Sequence, residues 1–303
     1  MMAQTAEKTK ESQRGFSFTR WFSYTSSTET MRTWPKIITS ADEIPENFGT
    51  GILPDMEEFP YMVFIPADIF LFANRAVRTK PLLVFMSNEK ITVMEDNKGY
   101  IETISHYYND IHYIKTYRIL LAANITISSS SGISSLNFSA ARDDFLQPFI
   151  EVFRNYYNKP EQKKIDGKDI LKIKSADHID YKFINYGMNS LLPDQIITDI
   201  VYQESINLKE EGIKFSGRQK KYSAPFLIIK TGDELIIIEE PTMIRSRRKL
   251  EYGGIYTFIP LRNINKIDIA TGLLNKMIIS LKNSESKEFY FLPGKSLTGF
   301  EMK

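Results

Sequence analysis

The stretch that decides the fold is LLVFMSNEKITVME at residues 82–95, and it returns as FLIIKTGDELIIIE at residues 226–239. In each copy an apolar run leads into a short polar break, SNE at 87–89 or TGD at 231–233, and a second run rich in β-branched residues follows. Two β-favouring runs joined by a short polar turn are typical of a β-hairpin. The sequence therefore predicts the same hairpin twice, 144 residues apart.

Further matching segments surround the two hairpins in the same order. They are SADEI at 40–44 with SADHI at 175–179, LPD at 53–55 and 192–194, and I-x-x-I at 111–114 and 264–267. The offset between the copies rises from 135 through 139 and 144 to 153, which indicates insertions of four, five and nine residues in the second copy. Such a shared order of matches indicates an internal duplication.

The duplication predicts two tandem domains. Residues 36–158 are expected to form the first domain and residues 175–303 the second, with a lysine-rich linker at 159–174. A chain of 303 residues gives each domain enough length to bury its own core. Residues 1–35 are polar and rich in Ser and Thr, and they predict a disordered or loosely docked tail.

Composition narrows the class of protein. The chain is 42% hydrophobic and 25% charged, as is typical of a soluble globular protein. It has no cysteine, which excludes disulfides, thiol catalysis and cysteine-based zinc sites. No apolar run approaches the ~18 residues of a membrane span. We therefore expect a cytoplasmic protein, with peripheral attachment to a membrane as the further option.

The order of the predicted elements gives the fold class. Short β-rich segments follow each hairpin, and a helix is predicted over 143–158, where aromatic residues recur every four positions from Phe145 to Tyr157. Pro148 fits this helix only in its first turn or at a kink. The predicted class is mainly β with helices (α+β): in each domain a bent antiparallel seven-stranded sheet, capped by a C-terminal helix. The second copy ends too early for such a helix, so we expect a helix over 177–190 to cap its core instead.

Five short segments of the second copy carry a family resemblance. They are LLPD at 191–194, APFLII at 224–229, ELIII at 234–238, FIPL at 258–261 and INKI at 264–267. This pattern resembles the bacterial pleckstrin-homology-like (PH-like) and GRAM-like domains, and the resemblance extends over both copies. It implies two tandem PH-like domains that act as a binding scaffold. PH-like domains bind lipid headgroups or peptides or drive oligomerisation, and the fold alone does not choose among these roles.

The second copy carries two basic segments at its insertions. Residues 209–221 hold five basic and two acidic residues, and residues 241–251 hold four and one, so each segment has a net charge of +3 while the whole chain has +2. In a PH-like fold both segments would lie at one open end of the sheet and would bind phosphate groups or anionic lipid. Solvation alone is the competing interpretation of the charges. The candidate anion- and lipid-binding residues are Lys214, Arg218, Lys220, Lys221, Arg245, Arg247, Arg248 and Lys249.

The alternative function is a module for protein–protein interaction or self-assembly. Exposed sheet edges and the aromatic segment RGFSFTRWF at 14–22 would then make the contacts, and the basic segments would be incidental. The partner would be another protein or a second copy of the chain. Nucleic acid is not expected, because no RNA- or DNA-binding signature accompanies the charges.

The sequence has none of the common catalytic motifs. It contains no G-x-G-x-x-G, Walker or G-x-S-x-G pattern. His106 and His112 lack a third ligand with metal-site spacing, so we expect them at the surface or the edge of the core. The sequence therefore predicts a non-enzymatic protein without cofactor or metal.

Overall fold

The fold is mainly β, as predicted, with two α-helices among the residues that the structure describes. The computed structural model describes residues 31–49, 61–72, 75–119, 122–157, 173, 179–193, 195–209, 219–241 and 253–301. All strand pairings in these ranges are antiparallel. No helix in the same ranges is long and apolar enough to cross a bilayer.

The first half of the chain contributes ten strands and then a helix. The strands are β1 (Lys36–Ile37), β2 (Tyr61–Ile65), β3 (Ile69–Phe72), β4 (Arg75–Arg78), β5 (Leu82–Met86), β6 (Lys90–Asn97), β7 (Tyr100–Tyr107), β8 (Ile111–Ile119), β9 (Ala122–Ser129) and β10 (Gly132–Ser139). Helix α1 (Gln147–Tyr157) follows a 3₁₀ segment at Ala140–Phe145.

The second half begins with a helix and contributes nine strands. Helix α2 spans Tyr181–Ser190. The strands are β11 (Ile197–Gln203), β12 (Ile206–Lys209), β13 (Gln219–Ser223), β14 (Phe226–Thr231), β15 (Glu234–Glu239), β16 (Gly253–Pro260), β17 (Ile264–Ala270), β18 (Asn275–Leu281) and β19 (Ser286–Phe291).

Both predicted hairpins are confirmed, and their turns are built alike. Strand β5 pairs with β6 and β14 with β15. The Ser87 hydroxyl accepts hydrogen bonds from the backbone N–H groups two and three residues later, and the Thr231 hydroxyl does the same in the second copy. These two side chains hold the turns with the same local contact.

The likeness of the two halves continues after the hairpins. A register shift lies between Ile111 and Tyr113 where β8 pairs with β9, and another lies between Ile264 and Lys266 where β17 pairs with β18. Both positions are 153 residues apart, which is the offset read from the sequence. A bulge conserved between two copies of a unit is a specific feature of its backbone.

One sheet joins the two halves. Its strand order is β10-β9-β8-β16-β15-β14-β11, and β8 pairs with β16 from Ile114↔Phe258 to Ile119↔Gly253. The other large sheets are β1-β2-β5-β6-β7 in the first half and β17-β18-β19 in the second. The structure's seven-stranded sheet is thus assembled from strands of both halves, whereas the sequence predicted one such sheet in each. Pairing β8 with β16 covers two strand edges that would otherwise be exposed.

The central strands are buried on both faces. Along β14, Ile228 contributes to a core shared with β17–β19, while Ile229 contributes to a larger core on the opposite face. In β5, Val84 and Phe85 divide between two cores in the same way. Successive side chains of a strand point to opposite faces. This explains why the hairpin sequences read as continuous apolar runs instead of alternating.

Helix α2 packs on the face of β14 that is turned away from β17–β19. Phe183 of α2 lies in the same core as Leu227 and Ile229 of β14, together with apolar residues of α1 and of the first half. The core between β14–β16 and β17–β19 is closed instead by Leu297 and Phe300 of the C-terminal segment. The helix expected over 177–190 therefore packs on strands of its own half, on the face opposite the core that Leu297 and Phe300 close.

Both helices begin four residues later than predicted, at positions that local sequence rules explain. Helix α1 begins at Gln147, so Pro148 lies in its first turn, where a missing N–H costs nothing. Helix α2 begins at Tyr181, and the Asp180 side chain caps it by accepting the N–H of Lys182 at 3.0 Å. The expected starts were at 143 and 177.

Candidate functional site

Described residues that flank the two basic segments of the second half meet at one end of the sheet. The N–H of Glu240, which follows β15, donates to the carbonyl of Pro225, which precedes β14, at 3.2 Å. In the first half, the N–H of Asp96 donates to the carbonyl of Pro81 at 3.0 Å, and each of these two residues lies 144 positions before its counterpart. The segment at 241–251 begins one residue after this contact, and the segment at 209–221 ends four residues before it.

The predicted site residues are only partly within the described structure. Lys220 and Lys221 lie in β13, where they pair with Leu208 and Asn207 of β12. The other six lie outside the described residues: Lys214, Arg218, Arg245, Arg247, Arg248 and Lys249.

Two of the acidic side chains described near this end are already paired. Lys182 of α2 lies 2.7 Å from the Glu240 carboxylate. Arg118, beside the start of β16 at Gly254, forms an ion pair with Asp143. Neither carboxylate is therefore left to neutralise the basic segments.

A small cleft lies where the two halves meet. It is formed between the β8–β16 pair and the β18–β19 pair and has a volume of about 90 Å³. Its base is buried and mostly apolar, and its rim is half-buried or exposed. The residues that line it include Tyr113, Lys115, Thr257, Ile259, Ile279 and Leu281.

Two polar residues of the cleft face each other across the joining strands. Lys115 of β8 is the direct cross-strand partner of Thr257 of β16. Directly opposite residues of an antiparallel pair have their Cβ atoms about 5 Å apart on one face. Thr257 is buried, and its hydroxyl oxygen has no hydrogen-bond partner among the described residues. Since most buried polar atoms are satisfied, this hydroxyl is an exception that needs an explanation.

One of the two lysines at the rim of the cleft is paired with a carboxylate, and the other is not. Lys287 forms an ion pair with Glu239, and the Glu285 carboxylate accepts a hydrogen bond from the Asn283 amide at 3.0 Å. Burial lowers the pKa of Lys287, and the nearby charge of Lys115 lowers it further against the opposing effect of Glu239. Burial, followed by the charge of Glu285, raises the pKa of the Tyr113 hydroxyl. Lys115 has no ion-pair partner within the described ranges.

A buried ion pair ties α1 of the first half to β15 of the second. The Arg154 guanidinium pairs with Glu234, and both side chains are almost completely buried. Arg154 also donates to the Gln195 amide oxygen at 3.1 Å and lies 4.1 Å from the centre of the Phe258 ring. Tyr157 donates its hydroxyl to Glu234, and burial raises the pKa of that hydroxyl well above its usual value. Because its charges are paired with each other and hydrogen-bonded, this cluster is structural.

The histidines do not form a metal site in the described structure. His106 is buried, with Nδ1 2.7 Å from the Ser129 hydroxyl and Nε2 2.7 Å from the Ser134 hydroxyl. Burial lowers the pKa of His106 to about 4. His112 is half-buried, and His178 lies outside the described residues. No group of three potential metal ligands occurs in the ranges given above.

No protein-family model matches the sequence, and no curated protein is significantly similar to it. The site must therefore be judged on its own chemistry.

Sequence reasoning missed both the cleft and the Arg154–Glu234 pair. A lysine in one strand and a threonine in another, 142 positions later, carry no local signal of being neighbours. Glu234 was the better clue, since it stands between the turn and the apolar run LIII. A charged residue at a buried strand position requires a partner.

Proposed function

We propose that this chain is a non-enzymatic binding protein of two PH-like modules, and that the second attaches it reversibly to anionic membrane surfaces. The modules correspond to residues 36–158 and 175–303. The matched turns, bulges and backbone hydrogen bonds of the two halves support a duplicated module. The ligand chemistry is the phosphate group of a lipid headgroup.

The observation that carries this proposal is that the second basic segment begins, and the first ends, within a few residues of one backbone contact. The hydrogen bond between Glu240 and Pro225 joins the residue before the second segment to a residue four positions after the first, and each segment has a net charge of +3. Charges concentrated at one end of a molecule act on a planar anionic surface together. The four arginines among them would bind phosphate oxygens in a bidentate manner.

The expected affinity is modest. Each basic residue close to an anionic bilayer contributes roughly 1 kcal/mol, so a net +6 gives about 6 kcal/mol. This corresponds to a dissociation constant of roughly tens of micromolar. Phe215 in the first segment and Tyr222 directly after it would add apolar insertion. Attachment of this strength is peripheral and depends on salt.

Co-sedimentation with vesicles tests the proposal. We expect the full chain to sediment with phosphatidylserine-containing vesicles at low salt, less so at physiological salt, and not with neutral phosphatidylcholine vesicles. The variant Arg245→Glu/Arg247→Glu/Arg248→Glu should lose at least tenfold in affinity. The matched control Lys98→Glu/Lys266→Glu/Lys282→Glu reverses three exposed charges elsewhere on the protein. After correction for its lower net charge, its affinity for the vesicles should stay within about twofold of the wild-type value. Equal loss in both variants, or no binding at any salt, would contradict the proposal.

The second candidate function is self-assembly or protein binding through sheet edges. Strand β7, at one end of the five-stranded sheet, has exposed Tyr100 and Tyr107, and β10, at one end of the seven-stranded sheet, has exposed Ile133. Exposed apolar residues on terminal strands favour contacts with another chain. This candidate would be supported if the protein does not bind vesicles and its sedimentation coefficient changes with protein concentration.

A further inference from the structure

We propose that the cleft between the two halves binds a small organic carboxylate. It is separate from the basic segments, and the proposal does not depend on membrane attachment. The Thr257 hydroxyl, Lys115 and the apolar base of the cleft would make the contacts with this ligand.

The Thr257 hydroxyl supplies the first polar contact. Thr257 is 3% exposed and lines the cleft, and its hydroxyl has no partner among the described residues. A buried hydroxyl left without a hydrogen bond destabilises the fold. A ligand oxygen in the cleft would accept this hydrogen bond and remove the penalty.

Lys115 supplies the charge. It stands opposite Thr257 in the β8–β16 pair, so both groups reach the cleft from the same face of the sheet. Lys287 at the rim is paired with Glu239, and the Glu285 carboxylate accepts a hydrogen bond from the Asn283 amide. Lys115 is the lysine of the cleft that has no ion-pair partner among the described residues. Because Glu285 adds a negative charge at the rim, the cleft favours a ligand with one negative charge over a dianion, and hence a carboxylate over a phosphate dianion.

The base of the cleft selects for a short apolar chain. Ile259, Ile279 and Leu281 are buried and line it. The volume of about 90 Å³ corresponds to roughly three water molecules in the liquid, or to a chain of a few carbon atoms. The arrangement fits an aliphatic acid whose carboxylate binds Lys115 and Thr257 and whose chain contacts these three residues.

The ligand class can be tested by titrating the full chain with butyrate, while methyl NMR signals of Ile259 and Ile279 are recorded. We expect saturable shifts of these two signals, with at least tenfold weaker binding in Lys115→Met and several-fold weaker binding in Thr257→Val. Lys266→Met, which removes an exposed lysine of the same half, is the matched control and should bind as the wild type does. Butylamine, which has the chain but the opposite charge, should not shift the signals.

Several results would overturn the inference. They are an absence of saturable shifts with butyrate, equal binding in wild type and Lys115→Met, or equal shifts with inorganic phosphate. The methyl spectrum of each unliganded variant shows whether the fold is kept, and Thr257→Val retains the shape of the side chain. Vesicle binding of the cleft variants should equal that of the wild type, so the two proposals can fail separately.

Discussion

At the residue scale, His106 shows how a titratable group is kept neutral inside the first half. It lies on β7, and its two ring nitrogens reach Ser129 on β9 and Ser134 on β10. A neutral imidazole has one donor and one acceptor, and two hydroxyl groups can satisfy both. The residue therefore links the five-stranded and the seven-stranded sheets where they meet. This contradicts the expectation of a surface or core-edge histidine, since nothing in the local sequence reveals the two serines.

His106 predicts a loss of stability in acid. Its folded-state pKa of about 4 lies below the ordinary value of 6.5, so the folded state disfavours the charged ring. Its contribution to the free energy of unfolding is complete above about pH 6.5 and is lost as the pH falls toward about 4, by on the order of 3 kcal/mol. Urea unfolding across this range should show a smaller pH dependence in His106→Gln than in the wild type. Equal slopes in His106→Gln and the wild type would contradict this account.

At the scale of the elements, α2 reaches β14 through a glycine. A Cβ atom at Gly187 would lie 3.1 Å from Leu227 Cδ2 and 3.2 Å from Ile229 Cδ1. Such a close approach has no room for a larger side chain. The helix therefore depends on a small residue at this one position.

Enlarging Gly187 should destabilise the protein. Gly187→Leu should lower the free energy of unfolding by about 1–3 kcal/mol, because overpacking displaces the buried side chains of β14. Asn189→Leu on the exposed side of the same helix is the matched control and should change it by about 0.5 kcal/mol or less. Chemical unfolding measures both. A Gly187→Leu variant as stable as the control would show that α2 does not pack closely on β14.

Elements defined by local pattern were predictable, and their partners were not. The hairpins at 82–95 and 226–239 were predicted, since apolar runs and polar turns mark them locally. Pro148 limited α1 to two possibilities, a first turn or a kink at this residue, and the structure has it in the first turn. The β8–β16 pairing had no such signal, because strands of both halves have similar patterns and either could form an edge. The cleft could not be predicted for the same reason, since it exists only where those two strands meet.

At the scale of the whole molecule, the two halves are joined by a shared sheet and a buried ion pair. The β8–β16 ladder supplies the backbone contact, and Arg154–Glu234 adds a side-chain contact between α1 and β15. Buried ion pairs contribute little over apolar residues but are costly to break from one side. The pair therefore specifies how the halves fit together more than it stabilises them.

A double-mutant cycle tests this role. Arg154→Met leaves Glu234 buried without its cation and should cost about 3–5 kcal/mol of unfolding free energy, and Glu234→Leu should cost a similar amount. The double variant should cost clearly less than the sum, because no unpaired charge remains. Denaturant unfolding of the four proteins gives the coupling energy. Additive losses would show that the two side chains do not depend on each other.

The most direct test of the proposed function is hydrogen–deuterium exchange of the full chain with and without anionic vesicles. The account predicts slower exchange in peptides covering 209–221 and 241–251 together, and unchanged exchange in the corresponding β3–β4 hairpin of the first half. Protection should disappear at high salt and with neutral vesicles. Protection of only one basic segment, or protection confined to β7 and β10, would contradict binding through a common basic end of the second half.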